Sequence, residues 1–126
     1  MKRDIYAVLF DMDGLLLDTE SVVLECFREA CTAQGLLDKE HVFYQCIGLR
    51  RAESRLVLDR NLGNLIDLGR FDADWEHRID ARLSKQVPVK SGVEQVLQHL
   101  YKAGVPAVVA TSTPTDIAIA NLKLAG

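Results

Sequence analysis

A chain of 126 residues and 14.0 kDa has material for one compact core, or for one small domain interrupted by another, and this excludes two large domains. Hydrophobic residues at 48% and charged residues at 26% are the composition of a folding globular chain, neither disordered nor fibrous. A net charge of −3, a pI near 5.6 and scattered lysines and arginines leave no basic field for a polyanion, so nucleic acid is not an expected partner.

Residues 1–4 have no charged leader followed by an apolar signal core, and the apolar run behind them lasts only six residues before Asp11. A cytoplasmic protein with no membrane association is expected. That run, residues 5–10, lacks alternation and is too short for a helix, which predicts a strand buried on both faces of a parallel sheet. From Thr19, Val22, Cys26 and Ala30 repeat at helical spacing with Val23 and Phe27 beside them, predicting a helix over residues 19–34 that Gly35 stops. Residues 38–86 read as further helices punctuated by Gly48, Gly63 and a turn at residues 72–74, the last helix carrying the stripe Trp75, Ile79 and Leu83.

Val87-Pro88-Val89 breaks the helical pattern. Ser91 is placed to cap a new helix with an apolar face of Val93, Val96, Leu97 and Leu100, ending near Gly104. Residues 105–110 then predict a second buried strand, residues 111–114 a polar turn, and Ile117, Ala120 and Leu124 a last helix capped by Gly126. Strand, helical insertion, helix, strand and helix are half of an α/β sheet, and the order predicts the front portion of a longer protein. Cys26, Cys31 and Cys46 form no CxxC pair and read as small buried hydrophobes of a reducing compartment; His41, His77 and His99 have no ligand spacing and read as surface residues.

The chemistry concentrates at Asp11-Met12-Asp13-Gly14, just past the first strand, where open α/β sheets place their ligands. Alone, two carboxylates at i and i+2 also occur on surfaces, in calcium loops and in nucleotide-sugar transferases. Leu15-Leu16-Leu17 removes the calcium-loop reading, which needs further acidic ligands at alternating positions. One carboxylate suits attack on phosphorus and the other proton transfer at the leaving oxygen, while Gly14 allows a sharp turn. An anionic nucleophile approaching an anionic phosphate calls for a hard divalent cation, so magnesium is expected; backbone N–H groups of residues 12–15 are candidate phosphate donors. Thr111-Ser112-Thr113, after the second strand, reads either as a plain helix cap or as an anion site, with Thr111 and Ser112 the candidate phosphate-binding residues.

Phe10-Asp11-Met12-Asp13-Gly14 through Leu17-Asp18-Thr19-Glu20 resembles the first motif of the haloacid dehalogenase superfamily, with the β-phosphoglucomutase-like phosphatases the nearest subgroup. The resemblance covers the whole chain, with Thr111 at the second motif. It implies an α/β fold: a Rossmannoid core with a partial parallel sheet over residues 1–17 and 88–126, and an inserted α-helical cap over residues 18–87. It further implies Asp11 as nucleophile and magnesium ligand, Asp13 as general acid/base that also ligates magnesium through its main-chain carbonyl, and Thr111 as a hydrogen-bond donor to the transferring phosphoryl group. Arg51, in Gly48-Leu49-Arg50-Arg51, matches the cap position that contacts substrate in sugar-phosphate enzymes, although an arginine there also reads as a solvated surface group.

The implied function is a magnesium-dependent phosphatase acting on a small phosphorylated metabolite, a sugar or nucleoside phosphate, through an aspartyl phosphate. Asp13 argues against carbon–halogen hydrolysis, because the dehalogenases lack that second aspartate. Two alternatives stand beside the phosphatase. One is a phosphosugar mutase, disfavoured because Val23 occupies the position where the mutases carry a histidine. The other is a non-catalytic fragment or interaction module, because the family's third-motif lysine and fourth-motif acidic residues fall beyond Gly126.

Overall fold

The computed structural model describes residues 4–126; residues 1–3, part of the stretch read as carrying no leader, lie outside the described residues. In chain order the elements are β1 (Val8–Phe10), α1 (Thr19–Ala33), α2 (Glu40–Cys46), α3 (Arg51–Leu62), α4 (Leu68–Leu83), α5 (Val93–Lys102), β2 (Ala107–Val109) and α6 (Thr115–Ala125). They divide into two compact units. The first takes the chain up to Glu20 together with Leu83–Gly126, and the second takes Ser21–Arg82.

In the first unit β1 and β2 pair in parallel, Val8 opposite Ala107, Leu9 opposite Val108 and Phe10 opposite Val109. The Ala110 N–H donates to the Phe10 carbonyl at 2.8 Å, so the two strands end together and deliver residues 11–13 and 111–113 to the same sheet edge. Met12, Leu16, Leu17, Val87 and Ala118 form the buried core beside the strands, with Phe10, Val109, Leu122 and Ala125 packed on it. Among the described residues, one sheet face is covered this way. The strands are shorter than expected and not buried on both faces: Leu9 is 71% exposed and Val108 55%. Strand alternation accounts for it, since Leu9 and Val108 point away from the neighbours that hold Phe10 and Val109 against the core.

Two helices of this unit also depart from the sequence reading. Gly92, with φ of 87°, holds the N-cap position of α5 in place of Ser91, with no side-chain cap bond. Val96 and Leu97 remain exposed, while Val93 packs on the core; Leu97 and Val93 line an open groove of about 270 Å³ with Leu122 and Ala125. The end of α5 is as expected, because Gly104 takes φ of 66° while its N–H reaches the Tyr101 carbonyl and that of Val105 the Leu100 carbonyl. On α6 the inward residues are Ala118, Leu122 and Ala125; Ile117 and Leu124 are exposed and Ala120 faces outward with them. Both sets have helical spacing, and tertiary contact selects between them.

The second unit is helical and centres on Phe27, which is fully buried among Phe43 (ring centroids 5.7 Å apart), Phe71 (5.5 Å) and Trp75 (5.2 Å). The Trp75 indole N–H donates to the Val23 carbonyl at 3.0 Å, consistent with its reading as a core residue. Gly35 ends α1 with φ of 74°, its N–H on the Thr32 carbonyl and that of Leu36 on the Cys31 carbonyl. The expected turn at residues 72–74 is absent, since α4 runs through it. Buried Phe71, an Asp74–Arg78 pair at 2.9 Å and the Asp72–Arg55 ion pair outweigh the weak helix preference of aspartate. Gly63 does punctuate the helices as expected, as the C-cap of α3, in a helical conformation with φ of −58°. Cys26 and Cys31 are buried thiols and Cys46 a half-buried one; burial pushes the Cys31 thiol up to about 11.

Glu29 of α1 receives Arg78 at 2.9 Å and also pairs with Arg82, while Glu25 meets Arg82 at 3.3 Å. The Arg82 hydrogen bond, followed by that of Arg78, holds the Glu29 carboxyl below its ordinary value. A depressed carboxyl contributes stability above its unfolded pKa of about 4.3 and loses it as pH falls through the folded value. Denaturant midpoints should therefore fall on acidification below about pH 4.3, and less steeply in Glu29→Gln; the half-exposed setting and salt keep the difference small. Phe27→Ala should cost about 3–5 kcal/mol in equilibrium unfolding of the second unit, because the cavity opens among three other rings.

Candidate active site

Strand periodicity continues past β1 and sorts the motif: Met12 turns into the core and is fully buried, while Asp11 and Asp13 on either side turn away from it. The Met12 carbonyl then accepts the N–H groups of Leu15 (3.3 Å), Leu16 (2.9 Å) and Leu17 (3.0 Å), winding the chain tightly around that anchor. Gly14 makes the turn possible with φ of 77°, its N–H on the Leu17 carbonyl at 2.8 Å. The returning chain is pinned to the segment before α5. Lys90 N–H donates to the Leu16 carbonyl at 2.9 Å, Asp18 N–H to the Pro88 carbonyl at 2.8 Å, and the Lys90 ammonium lies 3.3 Å from the Asp18 carboxylate.

Asp11 is exposed at the sheet edge and its Oδ1 accepts the Met12 N–H at 2.9 Å. Asp13 is half-buried, and both of its carboxylate oxygens accept hydroxyls: Thr19 Oγ1 at 3.0 Å on Oδ1, and Thr113 Oγ1 at 2.9 Å on Oδ2. Thr111 lies beside them, its Oγ1 accepting the Thr113 N–H at 3.1 Å. With an acceptor site already used, its proton is free to turn outward, as a donor to an anion requires. Ser112 sits exposed in the same turn. None of these hydroxyls caps α6, which begins at Thr115 with Pro114 at the N-cap position.

Several N–H groups offered by the sequence are already engaged: those of Met12, Gly14 and Leu15 donate within the chain, so they do not form a free anion cradle. Thr19 and Thr113 are the two residues the sequence reading did not assign to the site. Thr113 is two residues after Thr111, so strand periodicity carried one step past β2 groups them; nothing local marks Thr19, which is only 6% exposed, as an Asp13 partner.

Arg51 opens α3 and belongs to the second unit, whereas Asp11, Asp13, Thr111 and Ser112 belong to the first. Its side chain is 87% exposed and pairs with Glu76, and both line a groove of about 710 Å³ with Val23, Leu58, Trp75 and Ile79. His41, His77 and His99 are exposed. Among the described residues no group of three or more histidine, cysteine or acidic side chains converges as metal ligands, and no helix is long and apolar enough to cross a membrane.

Carboxylates after one parallel strand and hydroxyls after its neighbour define an open α/β protein whose polar residues gather at the carboxyl edge of the sheet. The model of the haloacid dehalogenase-like hydrolases matches residues 8–126, and the chain belongs to that family. Among curated relatives, the phosphorylated carbohydrates phosphatase of Thermotoga maritima is 29% identical over 120 residues, covering 93% of this chain and 54% of the relative. The mitochondrial (DL)-glycerol-3-phosphatase 1 of Arabidopsis thaliana is 28% identical over 110 residues, covering 86% and 37%. A family hydrolase of Deinococcus radiodurans, solved with bound phosphate and sodium, shares the fold with a TM-score of 0.80 at 23% identity, covering 97% of this chain and 53% of that one. The chain thus spans about half, or less, of the curated relatives it matches.

Replacing Gly14 by alanine should cost about 1–2 kcal/mol in chemical denaturation, because its φ of 77° is strained for any residue with a Cβ. The added methyl would also meet a Glu20 carboxylate oxygen at 2.8 Å, which that flexible side chain can relieve.

Proposed function

We propose that this protein is a magnesium-dependent phosphatase that hydrolyses a small phosphomonoester, a sugar or nucleoside phosphate, through an aspartyl-phosphate intermediate. The observation that carries the reading is the division of labour between the paired carboxylates: Asp11 is exposed at the strand end, while Asp13 is held on both oxygens by Thr19 and Thr113. An exposed, unhindered carboxylate suits a nucleophile, and a fixed one suits a proton carrier. The phosphatase names of the two curated relatives support the reaction class, and the carbohydrate phosphatase supports a phosphorylated sugar.

In this mechanism a free Asp11 oxygen attacks phosphorus and the ester P–O bond breaks, while Asp13 supplies the proton that the departing oxygen takes. Asp13 then removes a proton from water, which attacks the aspartyl phosphate, releasing phosphate and restoring the Asp11 carboxylate. Thr111 donates its outward proton to a phosphoryl oxygen, and exposed Ser112 extends the same polar turn.

The donor set fits a hard cation. With both Asp13 side-chain oxygens taken by hydroxyls, the Asp11 carboxylate and the Asp13 main-chain carbonyl are the oxygens left to hold magnesium, which commonly takes one or two carboxylates and completes its shell with water and substrate oxygens. Magnesium, when bound, would offset the repulsion between nucleophile and phosphate. The compact unit of Ser21–Arg82 is the cap of this reading, close to the 18–87 span expected from sequence, and Arg51 is its substrate-contacting residue. Val23 packs against the second core and offers no proton-transfer group, which supports water over a second substrate as the phosphoryl acceptor.

Magnesium-dependent release of phosphate from 4-nitrophenyl phosphate should occur with the wild-type chain and fall by a factor of about 1,000 or more in Asp11→Asn, with the unfolding midpoint unchanged. Release that survives the substitution would remove Asp11 as nucleophile.

A further inference from the structure

Thr113 has two bonds that tie the site together. Its N–H donates to Thr111 Oγ1 at 3.1 Å and its hydroxyl to Asp13 Oδ2 at 2.9 Å, across 100 residues of sequence. A threonine serving only as a turn residue would satisfy its hydroxyl locally or in water; this one reaches from the end of one strand to the carboxylate that follows the neighbouring strand. Thr19 takes the other oxygen at 3.0 Å, so the Asp13 carboxylate is gripped on both sides and its plane is set.

The chemical type of the partner matters as much as the geometry. An arginine or a backbone N–H can only donate, and so stabilises the carboxylate while opposing its protonation. A hydroxyl is a neutral donor: it holds the ionised carboxylate and still donates to a lone pair of the protonated acid, leaving the acid's own proton for the leaving oxygen. Hydroxyl partners therefore keep a carboxyl group in one position through both halves of a proton-transfer cycle.

Resting on the phosphatase reading, we propose that Thr113 is a positioning residue for Asp13, holding it against the leaving oxygen in both protonation states, with Thr19 as its counterpart on the other oxygen. Thr113 itself touches neither the phosphoryl group nor the nucleophile in this role. Its contribution appears where proton donation limits the rate and disappears where the leaving group needs no proton.

The test compares phenyl phosphate, whose leaving group is poor, with 4-nitrophenyl phosphate, whose leaving group is good, for the wild-type chain, Thr113→Val and Thr113→Ser. The valine variant, similar in shape, should lose roughly ten- to a hundredfold in kcat on phenyl phosphate and less than about threefold on 4-nitrophenyl phosphate, and serine should restore the phenyl phosphate rate. Thr19→Val should show the same selective loss. Equal losses on the two esters, no loss on either, or failure of serine to rescue a folded protein would overturn the assignment and leave the phosphatase reading standing. Absence of Asp11-dependent release from the wild-type chain would overturn that reading, and this assignment with it.

Discussion

The parallel pairing of two three-residue strands, closed by the bond from Ala110 N–H to the Phe10 carbonyl, is the contact on which the rest of the site depends. It joins segments about 100 residues apart, so its loop-closure cost has to be met by contacts that form only when both ends meet. Met12 and Ala118 supply part of that return by entering one core, and Asp13 and Thr113 supply the polar part. A register shift of one residue would turn Met12 outward and the aspartates into the core, so burial of one side chain specifies the direction of two others.

The tight turn behind Met12 trades anion binding for rigidity. Three N–H groups converge on the Met12 carbonyl, and Gly14 spends its own on Leu17, so the loop is held by its own backbone. In the proposed reading, what remains for a ligand is the Asp11 carboxylate, the Thr111 hydroxyl and the Asp13 main-chain carbonyl. That set is oxygen-rich and anionic, the character a hard divalent ion and a phosphate ester need between them.

The helical unit has its own core and its own charge pattern. Three aromatic rings surround Phe27 at the centre of its core, while Glu25, Glu29, Asp74, Arg78 and Arg82 tie α1 to α4 along one side. Arg51 is a different kind of residue there: exposed, paired with Glu76, and at the edge of a groove whose walls are largely carbon. A surface ion pair of this kind is worth little to stability, so an arginine in that position is available to a ligand at small cost.

The membership of the family was legible in sequence because its motif is local: Asp11, Asp13 and Gly14 lie within four residues, and the helix stops at Gly35 and Gly104 follow from positive φ. Periodicity also identified the core role of Trp75. It did not choose between Ile117, Ala120 and Leu124 and the inward set of Ala118, Leu122 and Ala125, nor foresee that α4 passes through residues 72–74, because each pattern has more than one apolar or helical solution until its neighbours are present. Exposure of Leu9 and Val108 was equally invisible, since an apolar run does not say how many faces are covered. The sequence by itself determined which acidic and hydroxyl residues follow the two strands and in what order they occur; tertiary structure alone decided that Thr113 joins Thr19 on the Asp13 carboxylate, because its hydrogen bond, across 100 residues, exists only after the strands pair.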